Sequence, residues 1–286
     1  MKALPIIFFN FGNPDFLDVA LKQAVHTNPN SDIYLIGDDT NEKDYVKYVH
    51  YNELTDEDAI EFDNNYINLS TNNAMYEKIC FFRWFLIRNL AKREKIDRFF
   101  CTDSDVLLFC DITKEAEKFK NYRYTLTHNT SAGISYINDI SCLDQYCEFV
   151  NGVYNRQKHG QCLFVGESVS SKYKYYLDKF ASVFEARRKN ILQGGVCDMT
   201  FWAELRLMDN PGLVGETSSI IDGSTFDHNI NAQDSYEWED GLKVFHWKDN
   251  IPYCKNTWLQ EEVRFNCIHF QGAHRKELLK EYATYD

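Results

Sequence analysis

A chain of 286 residues that is 44% hydrophobic and 26% charged has a globular composition and is long enough to bury a core without disulfides. Its net charge of -12 repels a phosphate backbone, which excludes general nucleic-acid binding; any phosphate ligand must be met by a local cluster of cations or by a metal. No stretch approaches the roughly 20 apolar residues of a membrane span. The nine cysteines, an odd number with no CxxC pair, read as free buried thiols of a reducing, cytoplasmic compartment rather than as a zinc site or a disulfide framework.

Leu4 to Phe11 is an unbroken apolar run, as in a strand buried on both faces of a largely parallel sheet. Gly12-Asn13-Pro14-Asp15 follows in place of a signal-peptide cleavage site, so the run reads as a first strand. Phe16, Val19, Ala20 and Ala24 then recur at helical spacing. Ile33 to Ile36 is a second buried run, closed by Gly37-Asp38-Asp39, and Val46 to His50 a third. Strand, helix and strand with turn residues at the strand ends open an α/β domain. Residues 75–93 give the clearest helix, with a stripe at Met75, Ile79, Phe82, Leu86 and Leu90. Asp56-Glu57-Asp58 lies among polar residues and reads as the cap of a solvated helix. Residues 122–137 look strand-rich, and 142–155, 173–188 and 199–208 helical. Residues 213–247 break into short strands and turns, and a basic helical tail ends the chain. No repeat, low-complexity segment or linker divides the chain, which reads as a single domain, residues 1–286. It reads in two halves, residues 1–110 and residues 111–286.

The chemistry concentrates at Asp103-Ser104-Asp105, set between the apolar runs Phe99–Cys101 and Val106–Phe109. Side chains at i and i+2 of an extended segment point the same way. Two carboxylates so placed can share a hard divalent cation, Mn²⁺ or Mg²⁺. The preceding apolar run puts them at the carboxyl end of a buried strand, where open α/β sheets hold ligands.

The segment RFFCTDSDVLLFCDI resembles the metal-binding core of GT-A glycosyltransferases, and HFQGAHRK near the end is similar to the HxxGxxK element of the retaining glycogenin and bacterial galactosyltransferase type. The resemblance implies a Rossmann-like α/β/α sandwich with a mostly parallel central sheet. It also implies a nucleotide-sugar donor, UDP-linked, and a glycan or other hydroxyl acceptor. Carried over residue by residue, it makes Asp103, Asp105 and His269 metal ligands, and it gives Gly272 and Arg275 to the diphosphate. Arg275 stands where that element has lysine, with Lys276 next to it. Lys78 and Arg83, on the helix before the motif, are placed as in that superfamily.

The residues themselves add to this. His274, Arg275 and Lys276 concentrate positive charge in an acidic chain, and arginine suits bidentate phosphate contact. Asn10, Phe11 and Gly12 after the first strand, and Asp38 and Asp39 after the second, stand where a nucleoside would be held, although the same residues suit any turn. In the loop Gln193-Gly194-Gly195-Val196-Cys197-Asp198 the glycines allow close backbone approach to a sugar. Asp198 reads either as a helix cap or as a catalytic carboxylate: a general base in an inverting enzyme, or a donor-orienting group in a retaining one. Trp202, Trp247 and Trp258 can stack on sugars or pack in a core. Two other classes compete. A haloacid dehalogenase-type phosphatase also uses DxD after a strand, but expects Thr or Val where this chain has Leu107. A non-catalytic sugar-binding module suits the 15% aromatic content and leaves the DSD unexplained.

Overall fold

In a computed structural model, residues 2–160, 169–272 and 275–285 are described; Cys162 and His274 lie outside them. The chain forms two compact units. One comprises Met1–His50, Arg98–Asn138 and Gly212–Asp286, and the other Tyr51–Asp97 and Asp139–Pro211.

The first unit carries the sheet. Its strands are β1 (Ile6–Phe9), β2 (Ile33–Gly37), β3 (Lys47–His50), β4 (Phe99–Thr102), β6 (Tyr124–Leu126), β7 (Ile134–Ile137) and β8 (Val214–Glu216), in the order β3-β2-β1-β4-β7-β6-β8. Neighbours run parallel except at β7, which is antiparallel to both β4 and β6. This is the expected α/β class with a mostly parallel central sheet. β1 occupies its centre because Ile6, Ile7 and Phe8, all fully buried, have apolar partners on either side, with Ile6 opposite both Ile33 and Phe100.

Helix α1 (Asp15–Thr27) starts after Pro14 with two acidic residues in its first turn, which suits the helix dipole. It buries Leu17, Val19, Ala20, Leu21 and Ala24, and its buried Gln23 amide donates to the Leu108 carbonyl at 3.1 Å. β5 (Val106–Leu108) is not part of the central sheet; it pairs antiparallel with β15 (Cys267–His269), Val106 opposite His269. α4 (Ile112–Glu115) is one turn long. A four-stranded sheet is built from β12 (His246–Lys248), β13 (Ile251–Asn256), β14 (Glu261–Phe265) and β9 (Ser224–Thr225), and β10 (Trp238–Glu239) pairs with β11 (Leu242–Lys243). The tail is less helical than its composition suggests: a 3₁₀ turn over Lys276–Leu278 and one α-turn, α8 (Leu279–Tyr282), anchored by the buried Leu279.

The second unit is helical, with α2 (Glu57–Asn65), α3 (Ala74–Glu94), α5 (Ser141–Tyr154), α6 (Val169–Lys189) and α7 (Asp198–Met208). α3 is capped by Asn73, which accepts from the Met75 and Tyr76 amides, and it ends at Lys95 in the left-handed conformation. Its expected stripe is partly displaced: Met75 is exposed, whereas Phe81, Trp84, Phe85 and Ile87 are fully buried. Rings from several helices fill this unit. Phe81 meets Phe201 at 5.1 Å, Phe62 stacks on Phe85 at 5.3 Å and Tyr146 on Trp202 at 4.3 Å. Asp56 caps α2 as expected, but the acidic triplet is not only solvated. The buried Arg88 pairs with Asp56 at 2.6 Å and with Asp58 at 2.9 Å. Among the described residues no helix is long and apolar enough to cross a membrane.

Candidate metal and nucleotide site

Asp103 and Asp105 lie in the turn that leaves β4 and enters β5, and His269 closes β15. The β5–β15 ladder sets His269 opposite Val106, and the Phe270 amide donates to the Asp105 carbonyl at 2.9 Å. That register joins two segments far apart in the sequence. Oxygens of both aspartates and a ring nitrogen of His269 lie within 4.8 Å of one another. The aspartates converge through a turn rather than along a continuous strand.

The charges of the cluster are already matched. His269 Nε2 lies 3.3 Å from Asp105 Oδ1, and Lys276 Nζ 3.0 Å from Oδ2. Burial opposes ionisation of Asp105, yet His269 and Lys276 hold it well below the usual carboxylate range. Burial likewise opposes charging of His269, but Asp105, then Asp103 and Asp227, push the imidazole up to about 9. The ring is oriented from behind: Nδ1 sits 2.7 Å from the His228 carbonyl. A carbonyl only accepts, so Nδ1 carries the hydrogen and Nε2 is the atom turned toward the carboxylates. Two carboxylates and one imidazole are a donor set that suits Mn²⁺ or a similar divalent cation, and the residues present fit such an ion.

Three neighbours that the sequence did not single out, Gly133, Asp227 and Asn41, complete the site together with Ser104. Gly133 lies under Asp103: a Cβ there would come within 2.3 Å of Asp103 Oδ2, and its carbonyl accepts from the Asp103 amide at 2.7 Å. Ser104, the middle residue of the motif, donates to Asn10 Oδ1 at 2.8 Å. Asp227, fully buried, accepts from the His269 amide at 3.1 Å and from Lys243 Nζ at 2.8 Å. Asn41 Nδ2 donates to the Asn10 and Gly12 carbonyls at 2.7 and 2.8 Å. The only sequence signal for them was adjacency to strand ends, which does not say which side chain a loop residue meets.

The candidate nucleoside residues form one loop cluster in the first unit. Asn10 Nδ2 donates to the Phe11 and Gly12 carbonyls, and the Gly12 amide, at φ +80°, donates to Asp38 Oδ2 at 2.7 Å. The other Asp38 oxygen accepts from the Thr40 amide at 2.9 Å. Phe11 packs on Phe9 with ring centroids 4.8 Å apart. Asp39 is exposed and lies 3.2 Å from His50 Nε2. In the tail, Gly272 is exposed at φ +99° with open space where a Cβ would point. Its carbonyl accepts from the Arg275 amide at 3.1 Å. Lys276, not Arg275, is the tail cation that reaches Asp105, and its ammonium also lies over the Phe16 ring at 4.6 Å.

Lys78, Arg83 and Asp198 belong to the second unit. Lys78 pairs with Asp63 at 2.6 Å. Cys197 occupies the cap position of α7 and Asp198 is its first helical residue. The Asp198 carboxylate is 4% exposed. Its Oδ2 accepts from Arg83 Nη2 at 2.8 Å and from Trp84 Nε1 at 3.0 Å, and Oδ1 accepts from the Met199 amide at 2.9 Å. Gly195 approaches the Leu69 backbone so closely that a Cβ would come within 2.5 Å of its carbonyl oxygen; this loop glycine serves chain packing. Trp202 is a core residue, whereas Trp247 and Trp258 are exposed.

No known protein family matches this sequence, and no curated protein matches it. Several solved structures do resemble the fold. Mouse xyloside xylosyltransferase 1 in its apo form is 11% identical, with 78% of this chain and 87% of that chain covered and a TM-score of 0.44. The galactosyltransferase LgtC, in complex with donor and acceptor sugar analogs, is 13% identical over 98% of this chain and 95% of that one, TM-score 0.41. The apo-form glycosyltransferase GlyE of Streptococcus pneumoniae TIGR4 is 13% identical over 74% of this chain and 44% of that one, TM-score 0.33. All three are glycosyltransferases by name.

Proposed function

We propose that the chain is a metal-dependent glycosyltransferase that moves a sugar from a nucleoside diphosphate donor, with uridine as the base, to a hydroxyl of a glycan-type acceptor. The observation that carries this reading is the convergence of Asp103, Asp105 and His269, with Lys276 held on the same carboxylate. A divalent cation on these ligands would offset the diphosphate charge and stabilise it as a leaving group. The chain's own residues do the rest. His228 and Asp227 hold His269 in place through its Nδ1 and its backbone amide. Lys276, which pairs with Asp105 here, would be available to phosphate oxygens beside Arg275 if a cation took that charge, and Gly272 would let the backbone come close. Asn10, Phe11, Gly12, Asp38 and Asp39 take the nucleoside. Lys78 and Arg83 are paired within the second unit, with Asp63 and Asp198.

Retention of configuration is the better reading of the stereochemistry. A general base needs a lone pair turned toward the acceptor hydroxyl, whereas both Asp198 oxygens are bonded within its own unit. Asp198 therefore orients Arg83 from the start of α7.

The test is a thermal-shift series with UDP, with and without Mn²⁺. A ligand at 100 times its dissociation constant adds about 2.7 kcal/mol, and the shift is expected only when both are present. Asp103→Asn, at a partly exposed residue, and Asp105→Asn should each abolish it. An undiminished Mn²⁺-dependent shift in both variants would refute the metal centre and the reading built on it.

A further inference from the structure

A second cavity in the first unit has no part in the site above, except that the two share a wall. It measures about 510 Å³ and is lined by residues that include His128, His228, Asp234, Tyr236 and Trp258. Asp227 and His228 also line it, and these are the residues that hold His269 from behind. We propose that this cavity is a saccharide subsite, taking one or two neutral sugar rings of the acceptor. The acceptor role rests on the glycosyltransferase reading; the saccharide chemistry rests on the cavity.

Three observations carry it. The first is size, since the volume falls in the ordinary range of small-molecule sites.

The second is charge. Lys243 is the only lysine or arginine in the lining. It is buried and committed to Asp227 at 2.8 Å, Asp234 at 3.1 Å and the Asn229 carbonyl at 2.7 Å. The lining thus disfavours a phosphate and suits a neutral polyhydroxyl ligand. Hydroxyl, imidazole and carboxylate groups of Ser218, Ser219, His128 and Asp234 stand around it.

The third is an aromatic platform held in place. Trp258 sits at the tip of the β13–β14 hairpin, and its ring is 83% exposed. Its amide and that of Leu259 both donate to Asn256 Oδ1 at 3.0 Å. An exposed indole on a backbone turn held by Asn256 offers its face to the C–H surface of a sugar. The backbone on this side is tied to the hairpin: the Ser235 carbonyl accepts from the Thr257 amide at 2.8 Å. The Glu216 carboxylate maintains the His128 turn by accepting from the His128 and Asn129 amides at 2.8 and 2.6 Å.

Saturation-transfer NMR on the full chain with millimolar lactose, maltose, cellobiose and xylobiose, without nucleotide or metal, tests this. At least one disaccharide should give signal in the wild type. Trp258→Ala should weaken it about tenfold. So should His128→Gly, which removes the ring. Trp258→Ala should not change the Mn²⁺-dependent shift with UDP. Absence of signal from all four sugars in the wild type, or wild-type affinity in both variants, overturns the subsite. A wild type that binds a disaccharide but shows no UDP–Mn²⁺ shift refutes the transferase reading, and with it the acceptor role, but not the saccharide site.

Discussion

At the scale of single residues, Gly133 illustrates what a motif leaves out. Asp103 keeps its position because the residue beneath it has no side chain: any Cβ would stand 2.3 Å from Oδ2, a distance at which the carboxylate must move. Gly133→Ala should therefore leave the fold intact, with the thermal midpoint of the ligand-free protein changed by a few degrees at most. The UDP–Mn²⁺ shift, by contrast, should be lost, as it is in Asp103→Asn. Retention of the full shift would mean that Asp103 can bind from another rotamer and that its present orientation is incidental.

At the scale of elements, the β5–β15 ladder and the α3–α7 pairing do comparable jobs in different units. The ladder fixes which face His269 presents, because a slip of one residue in a strand pairing turns every side chain to the other side. In the helical unit, Asp198 at the start of α7 ties that helix to α3 through Arg83 and Trp84. A helix-terminal aspartate with only its own backbone to satisfy would tolerate asparagine with a few tenths of a kcal/mol lost. Here the partner is an arginine whose side chain is only 15% exposed, and removing one charge of a buried pair costs about 3 kcal/mol. Asp198→Asn should lower the denaturant midpoint accordingly and reduce sugar transfer. The UDP–Mn²⁺ shift, measured from the variant's own midpoint, should persist. A loss under about 0.5 kcal/mol would show that the pair contributes little.

At the scale of the whole molecule, a net charge of -12 means that any diphosphate ligand would need local positive charge, and Lys276 lies beside the proposed metal ligands. The cysteines are equally a whole-chain property. The eight in the described residues are free thiols, and Cys101, Cys110, Cys142, Cys147, Cys254 and Cys267 are buried. Burial raises the thiol pKa of Cys110, Cys147 and Cys267 well above its ordinary value and that of Cys254 to about 11. Reductant should leave the thermal midpoint unchanged, and a thiol reagent should label Cys80 faster than the six buried residues until the chain is denatured. Rapid native labelling of Cys110 or Cys267 would contradict the packing of the first unit.

Much of the fold was legible from the sequence because its signals are local. An apolar run such as Leu4–Phe11 fixes a buried strand, a stripe from 75 to 93 fixes a long helix, and Asp103-Ser104-Asp105 between two apolar runs marks a strand end. The stripe placed the α3 helix but misjudged which face lies deepest, since period alone does not tell how many neighbours a helix has. Tertiary structure decided what each charged side chain meets. It turned Lys276 rather than Arg275 to Asp105, and committed the Asp38 oxygens to Gly12 and Thr40 and the Asp198 oxygens to Arg83, Trp84 and Met199. It also drew Arg88 onto the acidic triplet of α2, and set Asp227 and His228 behind His269. The physical reason is one of range. Backbone propensity and hydrophobic periodicity act between neighbours in sequence. Hydrogen bonds and ion pairs act over a few ångströms in space, so their partners are fixed only once the strands and helices have closed.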